Sequence, residues 1–104
     1  MRHFLKLNYR FADPVYNGDK RFEIRNNDRA FQKGDEVKFT VIDDDGDQYK
    51  PRFNRGLGKS VPHPLEDMLF EITYIISGWG LKNGYVVFGI KEKNKECQEL
   101  SVQV

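Results

Sequence analysis

Several features that mark particular classes of protein are missing from this sequence of 104 residues. It has one cysteine, Cys97, which excludes an intramolecular disulfide and a multi-cysteine zinc site and is typical of a reducing compartment, so we expect a cytoplasmic protein. No apolar run approaches the roughly 18 residues of a membrane-spanning helix, and the charges within Met1–Lys6 do not fit a signal peptide. His3 and His63 are far apart in the chain and have no neighbouring cysteine, which argues against a zinc site. We therefore expect no membrane contact and no metal.

Motifs of the common enzyme classes are also missing. The sequence has no Gly-x-Ser-x-Gly nucleophile motif, no Walker phosphate loop and no dinucleotide-binding glycine fingerprint. Cys97 has acidic neighbours, which disfavour the thiolate that a cysteine nucleophile needs. We therefore expect no cofactor.

The charge is nearly balanced, at +1, but it is unevenly distributed along the chain. Residues 1–34 contain eight basic and four acidic side chains, residues 35–48 contain one and six, and residues 49–65 contain four and none. If the fold brings the two basic segments together, they form one positive face suited to phosphate; otherwise they are ordinary solvated charge. The aromatic content of 13% and the small net charge argue against a disordered chain.

The spacing of apolar residues predicts five or six short strands. These are His3–Leu7, Arg21–Arg25, Glu36–Ile42, Met68–Ile76, Tyr85–Ile90 and Gln98–Val104. The two most apolar runs, Met68–Ile76 and Tyr85–Ile90, are expected to be central, with Gln98–Val104 paired to the latter. Strict alternation in Arg21–Arg25 predicts that Phe22 and Ile24 point inward.

A short helix is expected between Tyr9 and Asn17. Asp13 followed by Pro14 is a favourable N-cap and first-turn pair, and Asn17-Gly18 is a favourable end. Residues 43–65 lack any period, which predicts a long irregular loop that is either functional or disordered. Together these elements predict one domain over residues 1–104, mainly β, built as a small and mostly antiparallel β-barrel with one or two short helices.

The segment Gly18–Arg25 has the pattern Gly-x-Lys-x-x-Glu-x-Arg directly after the predicted helix. It resembles the signature of ASCH domains, which belong to the PUA-like superfamily of β-barrels. The chain also resembles an uncharacterised ASCH-related family of small bacterial and phage proteins, in the blocks His3–Lys6, Phe22–Asp35, Thr73–Ile75 and Gly80–Val87. The resemblance implies a PUA-like barrel that binds RNA or a modified base in a cleft beside the motif. Residues 43–67 fall outside it.

The motif residues also have a chemistry of their own. Glu23 and Arg25 are two apart on a strand and project from one face, where a carboxylate and a guanidinium suit a base edge and a phosphate. Lys20, with Arg21 beside it, can add positive charge at the same cleft. The alternative is that Glu23 pairs with Arg25, or with Arg21, at the protein surface.

Other candidate nucleic-acid contacts lie outside the motif. Trp79, between two glycines, either stacks on a base or plugs one end of the barrel, and Lys82 is a candidate phosphate contact. The segment Asn27–Arg29 is expected to shape a turn, with Arg29 as the residue that also binds. The irregular loop interleaves basic and aromatic residues, which is typical of single-stranded nucleic-acid binding and also of an ordinary loop. Its candidates are Lys50, Arg52, Phe53 and Arg55.

The leading functional interpretation is a non-catalytic RNA-binding module that recognises a nucleotide or base, and we expect a monomer or weak dimer. The alternative implied by the resemblance is a small amidohydrolase acting on an acylated cytidine, with Lys20 and Glu23 as its catalytic candidates. In those enzymes a nucleophilic Thr stands three residues after the motif Lys, whereas this chain has Glu23, and a carboxylate cannot perform the same acyl transfer. A protein-interaction module without a nucleotide ligand is a third interpretation.

Overall fold

The computed structural model describes residues 1–49 and 62–93, which form a mainly β fold with one short α-helix. Five strands form one sheet in the order β1-β3-β4-β5-β2. They are β1 (Arg2–Asn8), β2 (Phe22–Asn26), β3 (Glu36–Ile42), β4 (Phe70–Ser77) and β5 (Tyr85–Glu92). Helix α1 covers Tyr9–Tyr16, and a 3₁₀ helix covers Pro64–Asp67. The mainly β class is confirmed, but the described strands do not close into a barrel, because β1 and β2 are the two ends of the strand order.

The sheet is mixed, with most pairings antiparallel. β2 pairs with β5, β3 with β4, and β4 with β5, all antiparallel. At the start of β1, Arg2 contacts Glu36, and at its end Asn8 contacts Asp44, just beyond β3. The partners are 34 and 36 residues apart in sequence, and such a nearly constant separation is typical of parallel strands. The predicted antiparallel character is therefore right for three of the four pairings.

The chain divides into two compact units. The first unit comprises Met1–His3, Arg21–Val37 and the segment from Leu69 onward, and the second comprises Phe4–Lys20 and Lys38–Met68. Alternate side chains of the strands are buried, which is the two-residue period that the sequence predicted. The buried side chains of β1, β3 and β5 are His3, Leu5, Leu7, Val37, Phe39, Val41, Val86, Phe88 and Ile90.

Helix α1 begins earlier than its predicted cap. Asn8 is the N-cap and accepts a hydrogen bond from the Arg10 N–H at 3.0 Å, so Pro14 lies inside the helix and the prediction of Asp13 as N-cap is wrong. The Asp13 carboxylate instead contacts Nε2 of His63 at 2.7 Å. The predicted end is confirmed, since Asn17 caps the helix and Gly18 follows at a φ of 89°, which favours glycine.

One expectation about the strands is wrong. Phe22 and Ile24 are exposed rather than inward, because the opposite face of β2 is the buried one. The expected last strand, Gln98–Val104, lies outside the described residues. The central positions of β4 and β5 are confirmed.

The described ends of the expected irregular loop have regular features. The Asp43 carboxylate accepts the N–H groups of Asp45 and Asp47, and Ile42 bridges to Gln48, so residues 43–48 form a tight turn. At the other end, the His63 ring accepts the Leu65 N–H at 3.0 Å and caps the 3₁₀ helix.

Candidate functional site

Glu23 and Arg25 project from one face of β2, as the alternation predicted. Their cross-strand partners are Phe88 and Val86, so this face is the one that turns toward the buried side chains of β5. Nε and Nη2 of Arg25 donate to Oε1 of Glu23 at 3.0 and 2.8 Å. Glu23 is 2% exposed, while 23% of the Arg25 side chain is exposed. The pairing that the sequence offered as the alternative to a ligand contact is therefore formed, and Arg25 is its solvent-facing member.

Lys20 and Arg21 belong to different units. Lys20 is the last residue of the first segment of the second unit, where its Nζ lies 5.6 Å from the centroid of the Phe11 ring and its N–H donates to the Pro14 carbonyl. Arg21 is exposed in the first unit, and its carbonyl accepts the Ile90 N–H at 3.0 Å, which extends the pairing of β2 with β5. A single cleft formed by Lys20, Glu23 and Arg25 stays a prediction.

The hairpin between β4 and β5 presents the only tryptophan of the sequence. Two successive turns form it, with the Leu81 N–H donating to Gly78 and the Tyr85 N–H to Lys82, each at 3.0 Å. Trp79 has a φ of 52°, in the left-handed region that is costly for a residue with a side chain. Its side chain is 91% exposed, so it does not plug the fold. Residues held in sparsely populated backbone conformations cluster at functional sites.

A pocket of about 500 Å³ lies beside this hairpin. It is lined by Asn27, Ser77, Gly78, Leu81, Lys82, Asn83, Gly84, Tyr85 and Val86. Nζ of Lys82 lies 5.8 Å from the centroid of the Tyr85 ring, which is a cation–π contact at the pocket wall. Val86 lines the pocket and is the cross-strand partner of Arg25, so Arg25 lies next to the pocket on the neighbouring strand. The pocket therefore combines a lysine, two side-chain amides and a tyrosine.

Asn27 both shapes the turn after β2 and lines the pocket. Its Oδ1 accepts the Phe31 N–H at 2.9 Å and its N–H donates to the Gly84 carbonyl, so it shapes the turn after β2 as predicted. It also lines the pocket, which the sequence analysis missed, together with Asn83 and Tyr85. The Lys-Asn-Gly turn at residues 82–84 was the available signal. Arg29 lies on the same exposed bend, next to Ala30.

Charged groups elsewhere are held in structural pairs. Burial raises the pKa of Asp35, but hydrogen bonds from His3 and from the Gln32 N–H outweigh it, so this pKa lies below its usual value. Hydrogen bonds from Lys93 and Arg2 lower the pKa of Glu36. In the second unit, the Arg10 guanidinium lowers the pKa of Asp44 to about 2.

A family model described as a domain of unknown function, DUF3850, matches residues 2–90. The chain belongs to this family. No curated protein matches it. The DUF3850 match covers β1 to β4 and most of β5, and so includes the Glu23–Arg25 pair and the hairpin pocket.

Some expectations for this DUF3850 chain fall outside what the structure describes. The loop candidates Lys50, Arg52, Phe53 and Arg55 lie in residues 50–61, which are not among the described residues. Within residues 1–49 and 62–93, no group of three or more side chains is arranged to hold a metal ion. No helix in those same ranges is both long enough and apolar enough to cross a membrane.

Proposed function

We propose that this protein binds single-stranded nucleic acid, RNA in the first place, and that the β4–β5 hairpin is the primary contact. The observation that carries the proposal is Trp79, whose indole is almost fully exposed on left-handed backbone beside a polar pocket. An indole held in water on strained backbone contributes nothing to a core. Stacking on a base, worth about 1–3 kcal/mol, is a use that accounts for both the exposure and the strain.

The pocket next to Trp79 has the other groups that a nucleotide needs. In this proposal the ammonium of Lys82 contacts a phosphate, and the amides of Asn27 and Asn83 hydrogen-bond to base edges, which single-stranded RNA leaves open. Tyr85 supplies an aromatic wall. Lys82 is the one charged side chain among the residues that line the pocket, so binding there should depend weakly on salt.

The resemblance to ASCH domains, which we propose reflects kinship, assigns recognition to the motif residues Lys20, Glu23 and Arg25. Arg25 contributes through its partly exposed guanidinium, and Glu23, which is buried, contributes by orienting Arg25. This division of roles follows from the exposures of the two side chains.

The single tryptophan makes a direct test possible. Titration of short single-stranded RNA should quench the emission of Trp79, because no other indole is present in the sequence. In an anisotropy assay with fluorescein-labelled RNA, Trp79→Ala should weaken binding by about 1–3 kcal/mol. Lys82→Ala should reduce the slope of log K against log salt by about 0.7, as for one lost contact to a single strand.

Lys33→Ala is the matched control, since Lys33 is an exposed turn lysine of the same unit that lies outside the pocket. It should bind RNA like the wild type. Absence of quenching and of binding at low salt, with both single-stranded RNA and single-stranded DNA, would refute the proposal.

The amidohydrolase alternative gains no support from the geometry of Glu23. That carboxylate occupies the place of the expected Thr, is buried, and is engaged by Arg25, so it is neither a hydroxyl nucleophile nor open to substrate. We expect no release of cytidine from N4-acetylcytidine. Turnover that disappears in Lys20→Ala would contradict this and favour the hydrolase.

A further inference from the structure

One face of the sheet in the first unit carries apolar side chains toward solvent. We call it the outer face, and it is formed by Phe22 and Ile24 of β2, Val87 of β5, and Tyr74 and Ile76 of β4. The register places Phe22 and Tyr74 on either side of Gly89, and Ile24 and Ile76 on either side of Val87. These five side chains therefore form two adjacent rows across three strands.

Tyr74 reaches the outer face because of a β-bulge. The pairing of β4 with β5 shifts register between Ile72 and Tyr74, so Thr73 and Tyr74 both lie opposite Gly89. A Cβ at Gly89 would lie 2.6 Å from Oγ1 of Thr73, which explains the glycine. The bulge turns an aromatic side chain outward in a strand whose preceding residues, Phe70 and Ile72, are buried.

The two exposed rings flank Gly89 on the outer face. Phe22 and Tyr74 are two strands apart with Gly89 between them, which corresponds to roughly 9–10 Å between their Cα atoms. The Thr73 side chain lies over Gly89, so the interval between the rings is partly filled. A base therefore stacks on Tyr74 or on Phe22 rather than between them.

A lysine lies at each end of the outer-face positions of β5, and the two apolar rows cross β5 between them. Lys82 contacts the ring of Tyr85, the first of these positions, and Lys91 is the last, about 20 Å away. Within the described residues, neither lysine forms a salt bridge. Glu71 is the cross-strand partner of Lys91, Glu92 follows it in the chain, and Glu36 is paired with Arg2 and Lys93.

We propose that the outer face is a stacking platform for single-stranded RNA that continues from the hairpin pocket, with Tyr74 and Phe22 contacting bases and Lys82 and Lys91 contacting backbone phosphates. This inference rests on the proposed function and extends it from one nucleotide to a short strand. Lys82 forms no salt bridge within the described residues, and its positive charge at the hairpin end favours a polyanion over a second copy of the chain. Aromatic side chains on an open sheet face that stack successive bases are an established way of binding single strands.

The test compares two labelled oligouridines, of 4 and 12 nucleotides, on the full chain by fluorescence anisotropy. Tyr74→Ser should weaken binding of the 12-mer at least about fivefold, the lower limit for one lost base stack, and leave the 4-mer unchanged. Tyr74→Trp should restore binding of the 12-mer. Phe4→Ser is the matched control, since Phe4 is an aromatic strand residue of the second unit and 63% exposed against 64% for Tyr74. A longer RNA offers more positions at which the protein can bind. Each variant is compared with the wild type on the same RNA, so this number cancels in the ratio of their affinities.

The possible results separate the two proposals. If the wild type binds and Trp79→Ala weakens both RNAs while Tyr74→Ser weakens neither, the platform is refuted and the hairpin site stands. If the wild type binds neither RNA, the proposed function and the platform both fail. If a 12-base-pair RNA duplex binds as tightly as the 12-mer, bases do not stack on the outer face, and the platform is refuted. If sedimentation shows a dimer that Tyr74→Ser dissociates, the face is occupied by a second copy instead.

Discussion

Replacing Arg25 with methionine tests whether the Glu23–Arg25 pair is the buried unit that the structure indicates. Methionine preserves much of the aliphatic stem and removes the guanidinium that donates two hydrogen bonds to the Glu23 carboxylate on the buried face of β2. Breaking a fully buried ion pair costs about 3–5 kcal/mol. Because 23% of the Arg25 side chain is exposed, water screens part of this loss, and we expect about 2–4 kcal/mol.

The assay is urea unfolding of four proteins in a double-mutant cycle: wild type, Arg25→Met, Glu23→Gln, and the double variant. The double variant buries no charge, so it should be more stable than Arg25→Met alone. A coupling energy of at least about 1.5 kcal/mol is expected, which is above the range of exposed pairs. Lys33→Met, an exposed turn substitution in the same unit, should stay within about 0.5 kcal/mol of the wild type.

A loss of less than about 1 kcal/mol in Arg25→Met, together with additive effects in the double variant, would refute this reasoning. That result would mean that Glu23 is as well solvated as a surface carboxylate. The RNA assay of Arg25→Met must then be run where the variant remains folded, because reduced binding by an unfolded fraction would imitate the loss of a contact.

Three other substitutions test single features of the structure. Trp79→Gly should raise the free energy of unfolding in urea by about 0.5–1 kcal/mol, because glycine relieves the strain of the left-handed backbone at some entropic cost. The same variant should bind RNA more weakly. A lower free energy of unfolding would mean that the backbone at Trp79 is not strained. Asp35→Asn should destabilise the protein at pH 7 and make its stability fall less steeply on acidification: the lowered pKa of Asp35 stabilises the fold above about pH 4, and this is lost as pH falls through the folded pKa. A urea midpoint that falls as steeply with acidification in Asp35→Asn as in the wild type would contradict it. Asn8→Ala should cost about 1 kcal/mol in the same assay, and no loss would mean that Asn8 does not cap α1.

Local signals in the sequence were sufficient for most of the secondary structure. β3 was predicted with its observed bounds, Glu36–Ile42, because its alternation is regular and turn residues flank it. The end of α1 at Asn17-Gly18 was also predicted, since the stop requires a residue that tolerates positive φ. The predicted limits of α1, Tyr9 and Asn17, enclose the observed helix, but its N-cap was mispredicted. Asn8 and Asp13 are both residues that favour an N-cap, and only the packed fold assigns Asp13 to His63.

Individual residues of the candidate site could be predicted from the sequence, but their arrangement in space could not. Trp79 and Lys82 were recognisable as a tryptophan and a lysine in a glycine-rich turn. Their proximity to Asn27 and Tyr85 depends on the pairing of β2 with β5, which is a contact between distant parts of the chain. No local pattern contains that pairing.

The sequence by itself determined that Phe22 and Ile24 share one face of β2 and that Glu23 and Arg25 share the other, because alternation is a property of any strand. Only the tertiary structure decided which face is buried. Antiparallel pairing aligns Glu23 and Arg25 with Phe88 and Val86, whereas Phe22 and Ile24 align with Gly89 and Val87. Burial of Val86, Phe88 and Ile90 removes more apolar surface from water than burial of Val87, Gly89 and Lys91 would, so the former face of β5 is the buried one. The short edge strand β2 pairs with β5 and therefore buries the face that carries Glu23. The buried Glu23 carboxylate is compensated by its ion pair with Arg25.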